Sequence, residues 1–190
     1  MAARVQQAPP SSRGFTVLEL VFVAALVAIV SGMAMMITPA VLARAKSEGA
    51  AQTLLAHLRT AREQAISQRR NMQVTFSEDN RVQVLRVDVP GPGTTPILDA
   101  RLEQGTTFLQ FPGVLDTPDG FGAGQAIDFG AADTFMFTSE GTFVDQNGDE
   151  LPGTIFIGLP NRPETAQAVT IFGPTAYIRA WRWDGSRWVE

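Results

Sequence analysis

One acid at the head of a long uncharged run constrains this chain more than any other feature. Glu19 is followed by 24 positions, Leu20 to Ala43, without a charged residue. About 20 apolar residues in a helix suffice to cross the hydrocarbon core of a bilayer. A carboxylate carried to the middle of that core costs roughly 2.5–3.5 kcal/mol on insertion scales. Glu19 therefore needs a partner or a route to water, and the run predicts one long N-terminal helix.

The surrounding octet is Arg13-Gly14-Phe15-Thr16-Val17-Leu18-Glu19-Leu20. It resembles the processing site of type IV prepilins and pseudopilins. The resemblance implies that a prepilin peptidase cuts after Gly14 and N-methylates the new first residue, Phe15. Glu19 then stands fifth in the mature chain. It further implies a single-pass protein of the bacterial inner membrane with its globular domain outside the cytoplasm. The implied partners are other pilins or pseudopilins and an inner-membrane assembly platform, and the implied destination is a filament. Charge supplies a reason for the acid. After cleavage Phe15 carries a cationic amine that a neighbouring subunit's Glu19 can meet. Two unit charges about 4 Å apart gain roughly 4 kcal/mol at an effective dielectric near 20.

Three plainer readings compete. Glu19 can be a stray acid snorkelling to the membrane surface. The segment can be an ordinary secretory signal, with Arg4 and Arg13 as its basic start, Val21 to Val30 as its apolar core and Ser31 to Ala34 as a cleavage region. Against that, an acid lies within the apolar segment and helical sequence continues beyond any such cut. A plain transmembrane anchor leaves Gly14-Phe15 and Glu19 without a role.

Composition then limits the rest. With 190 residues and one apolar helix, a single globular domain is expected. Residues 1–14 hold two arginines and no acid, so 13 basic and 19 acidic residues remain beyond them, a net charge of −6. Such a balance does not suggest general nucleic-acid binding. There is no cysteine, so packing alone must hold the domain.

Organisation along the chain follows from periodicity. Residues 1–14 read as a leader, 15–43 as the transmembrane or filament-core part of a helix, 44–71 as its amphipathic continuation and 72–190 as a β-rich domain. The helix is expected from Phe15 to Arg70, with a kink at Pro39. Ala51, Leu54, Leu58, Ala61 and Ala65 recur at spacings of three and four and mark one buried face. Arg69 and Arg70 suit the negative end of the helix dipole. Met72, Val74 and Phe76, a turn at Ser77 to Asn80, and Val82, Val84 and Val87 predict a hairpin. Pro90-Gly91-Pro92-Gly93 with Pro96 predicts a loop. Further strands are expected at 106–111, 126–129, 135–138, 154–159, 168–172 and 176–183, the last returning through Asp184-Gly185 to Arg187-Trp188-Val189. The fold class is α+β and pilin-like: a long N-terminal helix packed on an antiparallel sheet domain.

Phe135-Met136-Phe137-Thr138-Ser139-Glu140-Gly141 resembles the Phe-x-x-x-Gly segment of GspH/FimT pseudopilins. That resemblance implies a minor subunit of a type II secretion pseudopilus or of a type IV pilus. DNA-capturing members of the family carry a C-terminal Gly-Arg-x-Arg motif. At the corresponding place this chain has Ala176-Tyr177-Ile178-Arg179, of which only Arg179 fits. Tyr177, Arg179, Trp181, Arg182, Trp183, Arg187 and Trp188 still form a basic, aromatic tail, so Arg179, Arg182 and Arg187 are candidate DNA contacts. The alternative is that the aromatics are core and the arginines solvated edge, which the acidic balance favours.

Asp145, Asn147 and Asp149 match the first, third and fifth oxygen donors of a calcium loop, so weak Ca²⁺ binding is a candidate there. Glu150 stands where glycine belongs and Phe156 where the closing acid belongs, which favours a solvated turn between strands over a cation site. No other cofactor is expected. The only histidine, His57, lies mid-helix, and the glycines at 91–93 and 120–124 lack the strand-to-helix setting of a phosphate loop. No enzyme activity is expected. The expected function is that of a structural filament subunit. A DNA-uptake pilin is one alternative, and a membrane-anchored binding domain that never polymerises is another.

Overall fold

The computed structural model describes residues 15–77, 80–102, 105–132 and 134–190, with the backbone alone at 34–38. The leader 1–14, with Gly14, lies outside the described residues, as do Glu78 and Asp79 of the expected first turn. The chain divides into two compact units, one ending at Ala40 and the other spanning Val41–Glu190.

In chain order, α1 (Val17–Gln68) is followed by β1 (Met72–Ser77), β2 (Arg81–Asp88), β3 (Gly93–Arg101), β4 (Thr107–Phe108) and β5 (Ile127–Asp128). Then come β6 (Phe135–Phe137), β7 (Phe143–Val144), β8 (Gly153–Gly158), β9 (Gln167–Phe172), β10 (Tyr177–Trp183) and β11 (Trp188–Val189). The helix contains Pro39. It stops two residues before the expected Arg70. Arg69 turns left-handed at φ 51°, and the Arg70 N–H reaches back to the Ala65 carbonyl at 3.1 Å. That bond satisfies one of the carbonyls left open at a helix end.

Within the second unit the helix buries the expected face. Ala51, Leu54, Leu58, Ala61 and Ala65 are all buried, together with Ala43, Ser47, Ala50 and Leu55. Full burial of a leucine side chain contributes about 1.5–3 kcal/mol, so Leu54 and Leu58 anchor this face. A buried hydrogen bond, Ser47 Oγ to the Thr165 carbonyl, ties the helix to the chain between β8 and β9.

Two antiparallel sheets receive the helix. One runs β3-β2-β1-β6-β7; the other runs β11-β10-β9-β8-β4, with β5 also paired to β8. Met72 and Val74 on β1 and Val82 and Val84 on β2 point into the main core, which also holds Phe129, Phe137, Phe143, Ile155, Ile157, Val169, Ile171 and Ile178. β8 is buried at all six positions. Its alternate residues feed two cores: Ile155 and Ile157 join the main one, while Phe156 joins a second cluster with Phe111, Ala168, Trp181, Trp183 and Trp188. Successive side chains of a strand leave on opposite faces, so a strand covered on both sides is largely apolar, and Thr154 is the one polar side chain of β8.

The hairpin β1–β2 pairs as expected, Val74 opposite Val84. The expected loop around Pro96 is corrected: after a turn at 89–92, Gly93–Arg101 form β3, with Pro96 inside it. Proline lacks the N–H a ladder needs and is tolerated only at edges and bulges. β3 is an edge strand, and its register with β2 shifts between Val84 and Leu85, beside Pro96. The short β7 was not expected.

Candidate functional site

The helix begins with a cap. Thr16 precedes its first turn, and the Glu19 N–H donates to Thr16 Oγ1 at 3.2 Å, while the Leu20 N–H donates to the Thr16 carbonyl at 3.1 Å. Thr-x-x-Glu is the sequence form of a capping box, and an acid in the first turn suits the positive end of the helix dipole. Glu19 is thus held at the third helical position, facing solvent. Every residue from Phe15 to Met33 is exposed, including Phe15, Leu18, Val21 and Phe22. A contiguous exposed apolar surface of this kind marks an interaction site. Among the described residues, no helix is long and apolar enough to cross a membrane. The uncharged sequence run itself continues through 34–38, whose side chains lie outside the description.

The C-terminal tail alternates as a strand should. Ile178 faces the main core, and Trp181 and Trp183 face the second one, where Trp188 packs edge-on against Trp183 at 5.3 Å between ring centres. The Trp188 indole N–H donates to the Leu115 carbonyl at 2.8 Å. The structure does not gather Arg179, Arg182 and Arg187 on one surface. Arg179 meets Asp119 at 2.9 Å, Arg182 faces Glu48 of the helix at 3.8 Å, and Arg187 meets Asp184 at 3.4 Å. Each guanidinium has an acid beside it, and the three tryptophans that single-stranded bases would stack on are buried. This arrangement does not support a DNA-capturing tail.

Asp119 is the residue that sequence reasoning missed. One carboxylate oxygen accepts from Arg179; the other accepts from Thr170 Oγ1 at 2.6 Å and from the Trp181 indole N–H at 3.0 Å. Asp116 shapes the same loop, accepting from the N–H groups of Thr117 at 2.7 Å and Gly122 at 3.0 Å. The loop is thereby fastened over the outer face of the second sheet. The only signal available was Thr117-Pro118-Asp119-Gly120, which reads as a turn.

Asp145, Asn147 and Asp149 form a closed turn. Asp145 Oδ1 accepts from the N–H groups of Asn147 at 2.8 Å and Asp149 at 2.9 Å, and Oδ2 accepts from the Asn147 side-chain amide at 3.0 Å. Partial burial pulls the Asp145 carboxyl upward, but these donors outweigh it and hold the group below its usual range. Its oxygens are turned into the loop, and among the described residues no set of three or more His, Asp or Glu side chains could hold a metal ion. His57 is half-buried, and that desolvation lowers its pKa.

The motif around Gly141 clamps the β6–β7 hairpin to the helix. The Gly141 N–H donates to the Thr138 carbonyl at 3.0 Å, and the Gly141 carbonyl accepts from Arg62 Nε at 3.1 Å. Gly141 has φ 88°, a region side chains avoid.

Residues 50–175 match the family described as Type II transport protein GspH. The chain belongs to the GspH family. Residues 9–35 match the prokaryotic N-terminal methylation motif, a stretch that includes Gly14, Phe15 and Glu19. The two matches make this GspH-family chain a pseudopilin, a pilin-like structural subunit of type II secretion. Such a subunit associates with other pilin-type chains in a pseudopilus and is anchored in the membrane on the extracytoplasmic side. The GspH match takes in the Phe137–Gly141 clamp and Asp119, and ends before β10. Among solved structures the chain is similar to the minor pseudopilin EpsH from the type 2 secretion system of Vibrio cholerae. That similarity is 14% in identity, covers 71% of this chain and 95% of that one, and has a TM-score of 0.48. No curated protein sequence matches.

Proposed function

We propose that this GspH-family chain is made as a prepilin, cut after Gly14 by the prepilin peptidase and N-methylated on Phe15. Its N-terminal helix spans the bacterial inner membrane once, and the sheet domain lies outside the cytoplasm. An inner-membrane assembly platform then draws it into the pseudopilus. There its exposed apolar helix packs among those of other subunits, and Glu19 pairs with a neighbour's N-terminal amine.

One observation carries this reading: the methylation-motif match coincides with a capped helix start that presents Glu19 at the head of an uncovered apolar surface. Helices in lipid associate through close packing and a few polar contacts, so one acid per helix sets register among otherwise similar surfaces. The test is the N-terminus and intact mass of membrane-extracted protein. A chain beginning at N-methyl-Phe15 is the expected result. A start at Met1, or after Ala34, rejects the proposal.

A further inference from the structure

Two surface clefts of the second unit share one wall, Tyr177. The first, about 360 Å³, is lined by Phe121, Phe172 and Tyr177 over the Arg179–Asp119 ion pair. The second, about 180 Å³, lies against the helix and is lined by Arg59, Arg62 and Glu63. Phe172 and Tyr177 stand directly opposite each other on β9 and β10, and Phe121 stacks on Phe172 at 6.1 Å and 22°. At 43% and 55% exposure, Phe172 and Tyr177 are the exposed aromatics of this unit among its described residues, whereas all three tryptophans are buried.

Charge says what belongs there. Arg179 is already neutralised by Asp119, so the first cleft offers aromatic walls without net charge. Arg59 is exposed and, among the described residues, has no acidic partner within ion-pair distance. With Arg62 it outweighs Glu63, leaving a cationic spot on a chain of net charge −4. Aromatic and arginine side chains in a concave site are the composition of binding hot spots.

We propose that the Phe121–Phe172–Tyr177 cleft and Arg59 form a docking site for an acidic segment of a neighbouring pilin-type subunit. A large apolar or aromatic residue of that segment seats in the cleft, and an adjacent carboxylate pairs with Arg59. The identity of the partner rests on the pseudopilin reading; the chemistry of the site does not.

The test uses the full chain in detergent and three capped peptides in a Gly-Ser frame: Glu-Phe-Glu, Lys-Phe-Lys and Glu-Ala-Glu. Binding is followed by chemical shifts of Tyr177 and by anisotropy. Glu-Phe-Glu is expected to bind saturably and more weakly at high salt, the other two at least roughly tenfold less. Arg59→Glu, on an exposed helix position, and Tyr177→Ser are each expected to weaken it by a similar factor. Equal binding of all three peptides, or no saturation by about millimolar peptide, overturns the site. So does a single-stranded oligonucleotide that binds through Tyr177 when the peptide does not. Tyr177-dependent self-association in sedimentation overturns the assignment to a different subunit. The N-terminus is read on the same preparations. Mature Phe15 without peptide binding removes the site and leaves the filament reading standing. Peptide binding by a chain still starting at Met1 removes the filament partner.

Discussion

The carboxylate of Asp119 accepts the indole N–H of Trp181 at 3.0 Å, across 62 positions of chain. The same group takes Thr170 and Arg179, so one side chain, 15% exposed, joins a loop to β9 and β10. Replacing it by Ala takes an acceptor from Thr170, Arg179 and Trp181 at once, leaving the indole only Thr170 Oγ1 at 3.2 Å and the guanidinium, for an acid, only the more distant Glu190 at 4.0 Å. Hydrogen bonds involving a charged group contribute about 1.5–3 kcal/mol, so Asp119→Ala is expected to cost about 2 kcal/mol or more in urea unfolding. Asp119→Asn keeps an acceptor and loses less. Tryptophan emission should shift with the Ala variant as Trp181 is released.

Gly141 tests the clamp on the helix. A Cβ there meets Ile66 Cδ1 at 3.0 Å, and φ is 88°. A side chain in that backbone region costs on the order of 1–3 kcal/mol. Gly141→Ala is therefore expected to destabilise by that amount. In a double-mutant cycle with Ile66→Ala the steric share should be recovered while the backbone share persists. A fully additive cycle shows that the Ile66 contact carries nothing.

These two sites differ in how legible they were. The buried helix face was readable because Ala51, Leu54, Leu58, Ala61 and Ala65 repeat at the helical period, and the strand face of Trp181 and Trp183 because alternation is local. Gly141 was readable through its neighbours in the Phe-x-x-x-Gly segment. Asp119 was not, because its three partners lie 51, 60 and 62 residues away and no local spacing encodes them. Pro96 misled because its tolerance depends on β3 lying at a sheet edge beside a bulge, a tertiary fact. The tail arginines looked like one basic patch because the sequence hides Glu48 and Asp119, which face two of them from distant elements.

Asp184 gives a pH-dependent signature. It accepts from the N–H groups of Arg187 and Ser186 and from the Ser186 hydroxyl, which lowers its carboxyl from 3.8 to about 2. A folded-state pKa below the unfolded value means that the folded chain binds fewer protons in that window. The stabilising contribution is thus complete above about pH 4 and is lost as pH falls through about 2. Carboxyl chemical shifts should place this midpoint. The stability gap between wild type and Asp184→Ala should narrow over the same range; a gap independent of pH assigns the turn's effect to backbone geometry instead.

Glu19 carries the assembly proposal, and its charge can be separated from its shape. Glu19→Gln preserves length and hydrogen bonding. The Thr16 cap uses the backbone N–H of residue 19, so the helix start should survive. What goes is the attraction to a cationic amine, roughly 4 kcal/mol at about 4 Å in a medium of effective dielectric near 20. Losing a contact of that size shifts an equilibrium about a thousandfold. The Gln variant is therefore expected to reach the membrane and be processed to Phe15, yet to be missing from sheared filaments. Glu19→Asp, which keeps the charge on a shorter arm, should enter them in reduced amount. Normal incorporation of the Gln variant removes the charge pair and leaves apolar packing as the force that recruits this subunit.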